Sequence, residues 1–222
     1  MKFTKNPLLV TSIVLFASTS LGFGQNVDFI IRGNLGIGAE YETLAYNGAE
    51  IYYSPGGGMG AEVGLQIEVA KNFILQSTLG YQLNLALQIE SFNGVSNESS
   101  SIFNRKFMSF GALKKFPLTE YLFNGILIGG GAHYNIPGQL KRIEDNVDLG
   151  SSKYKSNIGY YIELAVRLKI SETVYLDPGI RYRNLALDGK SYSEGTINDL
   201  PESLQKLNAN GVELGLVLVK NI

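Results

Sequence analysis

"NIGYYIELAVRLKI", residues 157–170, sets Ile158, Tyr160, Ile162, Leu164, Val166, Leu168 and Ile170 at even positions and Asn157, Gly159, Tyr161, Glu163, Ala165, Arg167 and Lys169 at odd ones. A period of two belongs to a β-strand, whose successive side chains point to opposite faces. The stretch permits two opposite architectures. In a soluble barrel or sandwich the apolar face is the core, whereas in a membrane barrel it faces lipid and the charges turn inward.

Working outward, the same alternation recurs over 28–41, 58–69, 73–90, 105–116, 121–136, 174–187 and 211–220. With 157–170 these make eight predicted strands, enough for a closed barrel or a sandwich. The connections alternate too: 71–72, 117–120 and 171–173 are tight, while 42–57, 91–104, 137–156 and 188–210 are long. Short turns at one end and long loops at the other are the layout of an up-and-down membrane barrel, with both termini on the turn side.

The polar faces decide which side is in. The interior of an eight-stranded barrel is just wide enough for side chains to fill, so small residues belong on the inward face. Glycine falls mainly on the polar face: Gly36, Gly38, Gly60, Gly64, Gly80, Gly125, Gly129, Gly131, Gly159, Gly179 and Gly215. Placed between Glu, Gln and Arg, these glycines leave room in a narrow lumen for large polar side chains. The sequence therefore predicts an all-β fold, an eight-stranded antiparallel up-and-down transmembrane β-barrel. Its lumen is expected to be plugged by a polar network of Arg32, Glu40, Glu62, Gln66, Glu68, Gln82, Glu163, Arg167, Asp177, Arg181, Arg183 and Glu213. Charges of both signs can pair there, as buried charge must. Outward Tyr134, Tyr160 and Tyr182 fall toward the loop ends and Phe29 and Phe73 toward the turn ends, where aromatic girdles belong.

The first 24 residues read as a secretory signal peptide: Lys2 and Lys5, an apolar core over 8–17, then small or polar residues, with cleavage near Gly24/Gln25. The expected mature domain is 25–222. Removing the leader takes two lysines and no acid, moving the net charge from −1 to −3, and no basic patch argues for nucleic acid. Cysteine is absent from the chain, which excludes disulfides, thiol catalysis and a lipidated cysteine anchor. No cofactor is expected.

The stretches "KFMSFGALKKFPLTEYLFNGILIGGGAHYNIP" and "NIGYYIELAVRLKISETVYLDPGIRYRNLALDG" resemble the outer-membrane β-barrel domain family common in Bacteroidetes. In that family a strand, a tight turn and a Gly-rich strand precede a paired strand ending in an Arg-Tyr or Tyr-Arg motif. The resemblance implies a bacterial outer-membrane location, contact with outer-membrane lipid and insertion by the outer-membrane assembly machinery. It also implies roles reaching to accessory functions in secretion. The chain departs from the pattern of such barrels at its end, Leu218-Val219-Lys220-Asn221-Ile222, where a terminal aromatic is usual.

Other motifs have bland readings. The clusters 55–60 and 129–133 are Gly-rich but enter or lie within strands, where a phosphate cradle needs to open a helix. His133, the single histidine, lacks an obvious acid and nucleophile beside it, so no enzyme activity and no metal site are expected. Pro178 inside a closed barrel predicts a bulge or a shifted strand start, and 199–207 predicts a short helix over the lumen mouth. Asn97-Glu98-Ser99 matches a glycosylation sequon without meaning in a bacterium. The expected role is structural, adhesive or accessory to secretion or transport, with an envelope protein as partner through the long loops. The competing reading is a soluble lipocalin-like ligand-binding barrel with an apolar interior.

Overall fold

The computed structural model describes residues 27–38, 42–46, 49–86, 99–118, 122–144, 147–200 and 202–222; the predicted signal peptide and Glu40 lie outside them. The strands are β1 (Val27–Gly38), β2 (Glu42–Tyr46), β3 (Ala49–Tyr53), β4 (Gly58–Ala70), β5 (Phe73–Ala86), β6 (Ser99–Pro117) and β7 (Phe123–Glu144). They continue as β8 (Val147–Tyr154), β9 (Asn157–Lys169), β10 (Val174–Asn184), β11 (Ala186–Tyr192), β12 (Lys206–Asn208) and β13 (Gly211–Asn221). A 3-10 turn (Ile197–Asp199) and helix α1 (Glu202–Gln205) lie between β11 and β12.

Eight of these strands, β1, β4, β5, β6, β7, β9, β10 and β13, form a closed antiparallel barrel. Each pairs with its neighbours, β13 joins β1 to β10, and β7 closes the cylinder onto β9. Every barrel strand carries the period-two pattern, least cleanly β6, where Phe107, Met108 and Ser109 are buried in succession, and the pleat sorts it. On β9, Ile158, Tyr160 and Ile162 are each about two-thirds exposed, while Tyr161, Glu163 and Arg167 are buried. Leu35 and Ile37 on β1, Leu214 and Leu216 on β13, and Ile128 and Tyr134 on β7 are likewise exposed. A lipocalin-like barrel needs the reverse; this outer wall is a belt of aliphatic and aromatic side chains suited to hydrocarbon. Phe29, Phe73, Phe116 and Phe123 ring the turn end and Tyr134, Tyr160 and Tyr182 the loop end.

Several elements differ from the sequence expectation. The predicted strand 105–116 extends to Ser99–Pro117 and 121–136 to Phe123–Glu144. Strand 174–187 stops at Asn184, and Ala186 begins β11. The long loops 137–156 and 188–210 carry β8, β11, β12 and α1, which continue the wall of β6 and β7 beyond the barrel. There β7 leaves β9 at Asn135–Asn157 and takes β8 as its partner from Gln139–Lys153 onward. Pro178 makes no bulge. It pairs with Leu216, and the register against β9 is the same on both sides of it, Leu176 with Leu168 and Gly179 with Ala165. Proline's missing N–H thus interrupts one ladder without displacing the strand. Gly58, which starts β4, has φ +108°, a backbone region that glycine alone enters freely.

The extension has its own core: Phe103, Leu140, Tyr154, Leu185, Leu187, Leu200, Leu204, Leu207 and Ala209 are buried together. Phe103, Leu140 and Leu185 continue the inward faces of β6, β7 and β10, so the cluster stands at the loop end, on the inward side of the extended wall. The Tyr154 hydroxyl donates to the Leu204 carbonyl (3.0 Å), tying β8 to α1. The predicted helix over 199–207 is shorter than expected because Leu207 already belongs to β12. Thr196 N and Oγ1 donate to Asp199 Oδ2 (2.6 and 2.9 Å), holding that exposed carboxyl below its usual range. Leu204→Ala costs the cluster about 2–5 kcal/mol. Its signature is rapid protease cleavage within 185–210 while the barrel keeps its heat-modifiable gel migration.

Candidate functional site: the barrel lumen

The inward face of each strand delivers polar side chains at every second position, and the closed cylinder removes them from water. Among the described residues, five arginines (Arg32, Arg105, Arg167, Arg181, Arg183) and four carboxylates (Glu62, Glu163, Asp177, Glu213) are buried. Arg181 is the hub. Its Nη1 bonds Glu62 (2.8 Å), its Nη2 and Nε bond Glu163 (3.0 and 3.2 Å), and its guanidinium lies 4.2 Å from the Tyr161 ring centre. Arg32 pairs with Glu163 from the far side of the barrel, and Thr78 Oγ1 donates to Glu62 (2.7 Å).

From this hub the bonds run to both ends. Toward the turns, Gln76 donates to Tyr161 Oη (2.9 Å) and accepts from Gln66 (3.3 Å); Arg167 bridges Gln66 (2.8 Å) and Asp177 (2.7 Å). Toward the loops, Arg181 lies 3.9 Å from Glu213, which pairs with Arg183. Arg183 and Arg105 converge on Gln82 Oε1 (3.0 and 3.1 Å), and Gln82 donates to the Gly57 carbonyl (2.7 Å). Apolar clusters flank the ionic belt, with Ile30, Val217 and Val219 in one and Ile74, Leu113, Leu127 and Ala165 in another.

Ten of the twelve residues assigned from sequence to the lumen are thus brought into one connected set. Glu68 is not among them: it keeps the β4 register, opposite Ile74, but stands at the turn end, where its side chain is exposed and accepts from Asn72 N (2.7 Å) instead. Glu40 falls outside the described residues. Arg105, Gln76 and Tyr161 were missing from the set. Gln76 and Tyr161 lie on faces the alternation marks as inward, whereas Arg105 begins the least regular predicted strand.

His133 packs its ring against Phe107 and Tyr161, with centroids at 6.2 and 6.3 Å. Its cross-strand partner is Ser109, also buried. Neither His133 Nε2 nor Ser109 Oγ makes a hydrogen bond, so the nucleophile–base contact that activates a serine is not formed between them. Gly80 holds space for the belt: a Cβ there would run into the Phe107 ring and stand 3.0 Å from Glu62 Cγ. Gly80→Val is expected to cost about 1–3 kcal/mol by overpacking, seen as a lower urea midpoint of the reconstituted protein.

A closed eight-stranded barrel with an apolar wall and an ionic interior defines the class: a small outer-membrane-type β-barrel. No protein-family model matches the chain, and no curated protein matches it in sequence. Among solved structures the chain is similar to a major outer membrane protein from Thermus thermophilus, with a TM-score of 0.50 and 16% identity over 88% of this chain and 99% of that chain. It is also similar to outer membrane protein AlkL, solved in DMPC bilayers (TM-score 0.47, 15% identity, 88% and 90% covered). A third similarity is to Neisserial surface protein A (TM-score 0.46, 12% identity, 90% and 97% covered). At these identities the likeness bears on the fold alone.

Proposed function

We propose that this chain is a non-catalytic integral protein of the bacterial outer membrane, of the kind common in Bacteroidetes, whose lumen is plugged and whose loop end serves as a contact surface. Its role on this reading is structural, adhesive or accessory to a secretion or transport complex, with an envelope protein as partner. Insertion on this reading proceeds through the outer-membrane assembly machinery. The observation carrying the reading is the lumen itself. Arginines and carboxylates from β1, β4, β9, β10 and β13 are bonded within it, with Arg32–Glu163 and Arg181–Glu62 crossing between strands that are not neighbours, and an apolar cluster stands at its loop end. Opening a water path would break several buried ion pairs at once, each costly to separate.

The test is conductance. The full chain reconstituted in planar bilayers is expected to give no steady porin-like current, and vesicles holding it are expected to retain small sugars. Steady conductance by the unmodified protein would sink the plug. A mature protein that is monodisperse in buffer without detergent would sink the membrane reading.

A further inference from the structure

Four lysines are exposed on one wall of the loop end: Lys106 on β6, Lys141 on β7, Lys153 on β8 and Lys155 in the link to β9. Strand register places them. Lys106 pairs with Tyr81 on one side and Ile136 on the other, both exposed members of the apolar belt, so it stands at the belt's outer edge. Higher on the same face, Gln139 pairs with Asn104 and Lys153, and Lys141 with Ile102 and Ser151. From Ile136 to Lys141 the strand climbs roughly 15 Å at about 3.3 Å per residue. The lysines therefore form a column that begins at the membrane interface and rises away from it.

Among the described residues none of the four is ion-paired; the lysine salt bridge found there is Lys169–Glu172 at the turn end. Asp148, near the tip of the β7–β8 hairpin, is engaged with Gly150 N (2.9 Å). On the opposite wall the described outward residues toward the loops, Ile37, Met59, Tyr182 and Val212, carry no charge. Among the described residues, exposed positive charge at the loop end is thus confined to one side, where Lys190 and Lys206 add to it and Asp188, across from Lys155 and Lys206, offsets part of it. A single phospholipid phosphate would occupy only the foot of the column, whereas a sugar headgroup bearing several phosphates spans its height.

We propose that Lys106, Lys141, Lys153 and Lys155 bind the phosphorylated sugar headgroup of an outer-leaflet glycolipid, whose acyl chains lie against Tyr134 and Ile136 of the same wall. Ammonium groups suit phosphate as mobile point charges, and the contact weakens with salt.

The experiment uses the full chain in phosphatidylcholine nanodiscs, titrated with a lipooligosaccharide carrying its phosphates and with the same glycolipid after phosphatase treatment. Removing the phosphates is expected to weaken binding about tenfold or more, and the variant K106Q/K141Q/K153Q/K155Q is expected to lose affinity to a similar extent. The variant's heat-modifiable migration shows that it is folded; if it is not, K141Q/K153Q, both above the lipid, takes its place. Equal affinity for the two glycolipids, or for wild type and folded variant, overturns the proposal. A lipid-free acidic polysaccharide bound as tightly as the glycolipid overturns the lipid assignment. The inference rests on the outer-membrane reading, whose own failure shows earlier, as a chain that stays in solution without detergent or nanodisc.

Discussion

Arg181→Met is expected to lower the unfolding free energy of the barrel by about 3–5 kcal/mol, measured as a fall in the urea midpoint for unfolding from lipid vesicles. The magnitude comes from what the substitution leaves behind. Methionine keeps most of the volume but strands Glu62 and Glu163, each buried and each deprived of a bond of 2.8 to 3.2 Å. Arg32 still pairs with Glu163, so Glu62 bears most of the loss; its remaining partners are Thr78 Oγ1 (2.7 Å), Asn34 Nδ2 (3.4 Å) and the more distant Arg32 (4.0 Å). The triple change Arg181→Met, Glu62→Gln, Glu163→Gln removes the orphaned charges and is expected to recover a good part of the loss, since replacing a whole buried pair is far cheaper than breaking it. An unchanged midpoint in the single variant would mean that the hub contributes nothing to stability.

Leu164→Arg has the second largest expected effect and interrogates the outer wall. Leu164 is exposed near the middle of β9 and pairs with Ile128 and Ile180, both also exposed and apolar. In a bilayer this is hydrocarbon depth, where arginine on a barrel costs roughly 2–4 kcal/mol, falling to about 0–1 near the interface. Ile158→Arg, six residues along the same face at the loop end, is therefore expected to cost much less. Both are read as urea midpoints in vesicles of the same lipid. Equal costs at the two positions, or none at either, would show that the wall does not meet hydrocarbon.

Much of this architecture could be read before any coordinates. The alternation of β9 recurs because the pleat forces it, and glycine beside glutamate and arginine identified the narrow side. What escaped has physical causes. Residues 147–154, 186–192 and 206–208 form strands without a clean apolar alternation, because β8 and β11 are partly exposed and are ordered by the Leu187, Leu204 and Leu207 cluster brought from distant sequence. Tertiary packing of that kind leaves no local period. Glu68 has the inward parity, but parity does not say how far along the barrel a residue lies, and at the turn end an inward carboxylate reaches water and the Asn72 N–H rather than the belt. Arg105 is not legible as inward because the strand around it mixes Lys106, Met108 and Ser109 without a regular repeat, although it sits directly across from the Gln82 that binds it.

The lumen bonds fall into two kinds, and they make the barrel's closure an electrostatic event. Arg167–Asp177, Arg181–Glu163 and Arg183–Glu213 join adjacent strands, so they are available as soon as neighbouring strands pair. Arg32–Glu163, Arg181–Glu62 and Gln76–Glu163 cross the cylinder between strands that are not neighbours, so they form only once the sheet has curled round. Until β13 meets β1 the half-formed sheet keeps a wet, charged inner face whose solvation has not been surrendered. Desolvation and transverse pairing then occur together, at the highest sequence separation in the molecule, which is the costliest kind of contact to reach. The arginines bonded from one side of the finished lumen to the other thereby tie its ionic interior to the last step of closure.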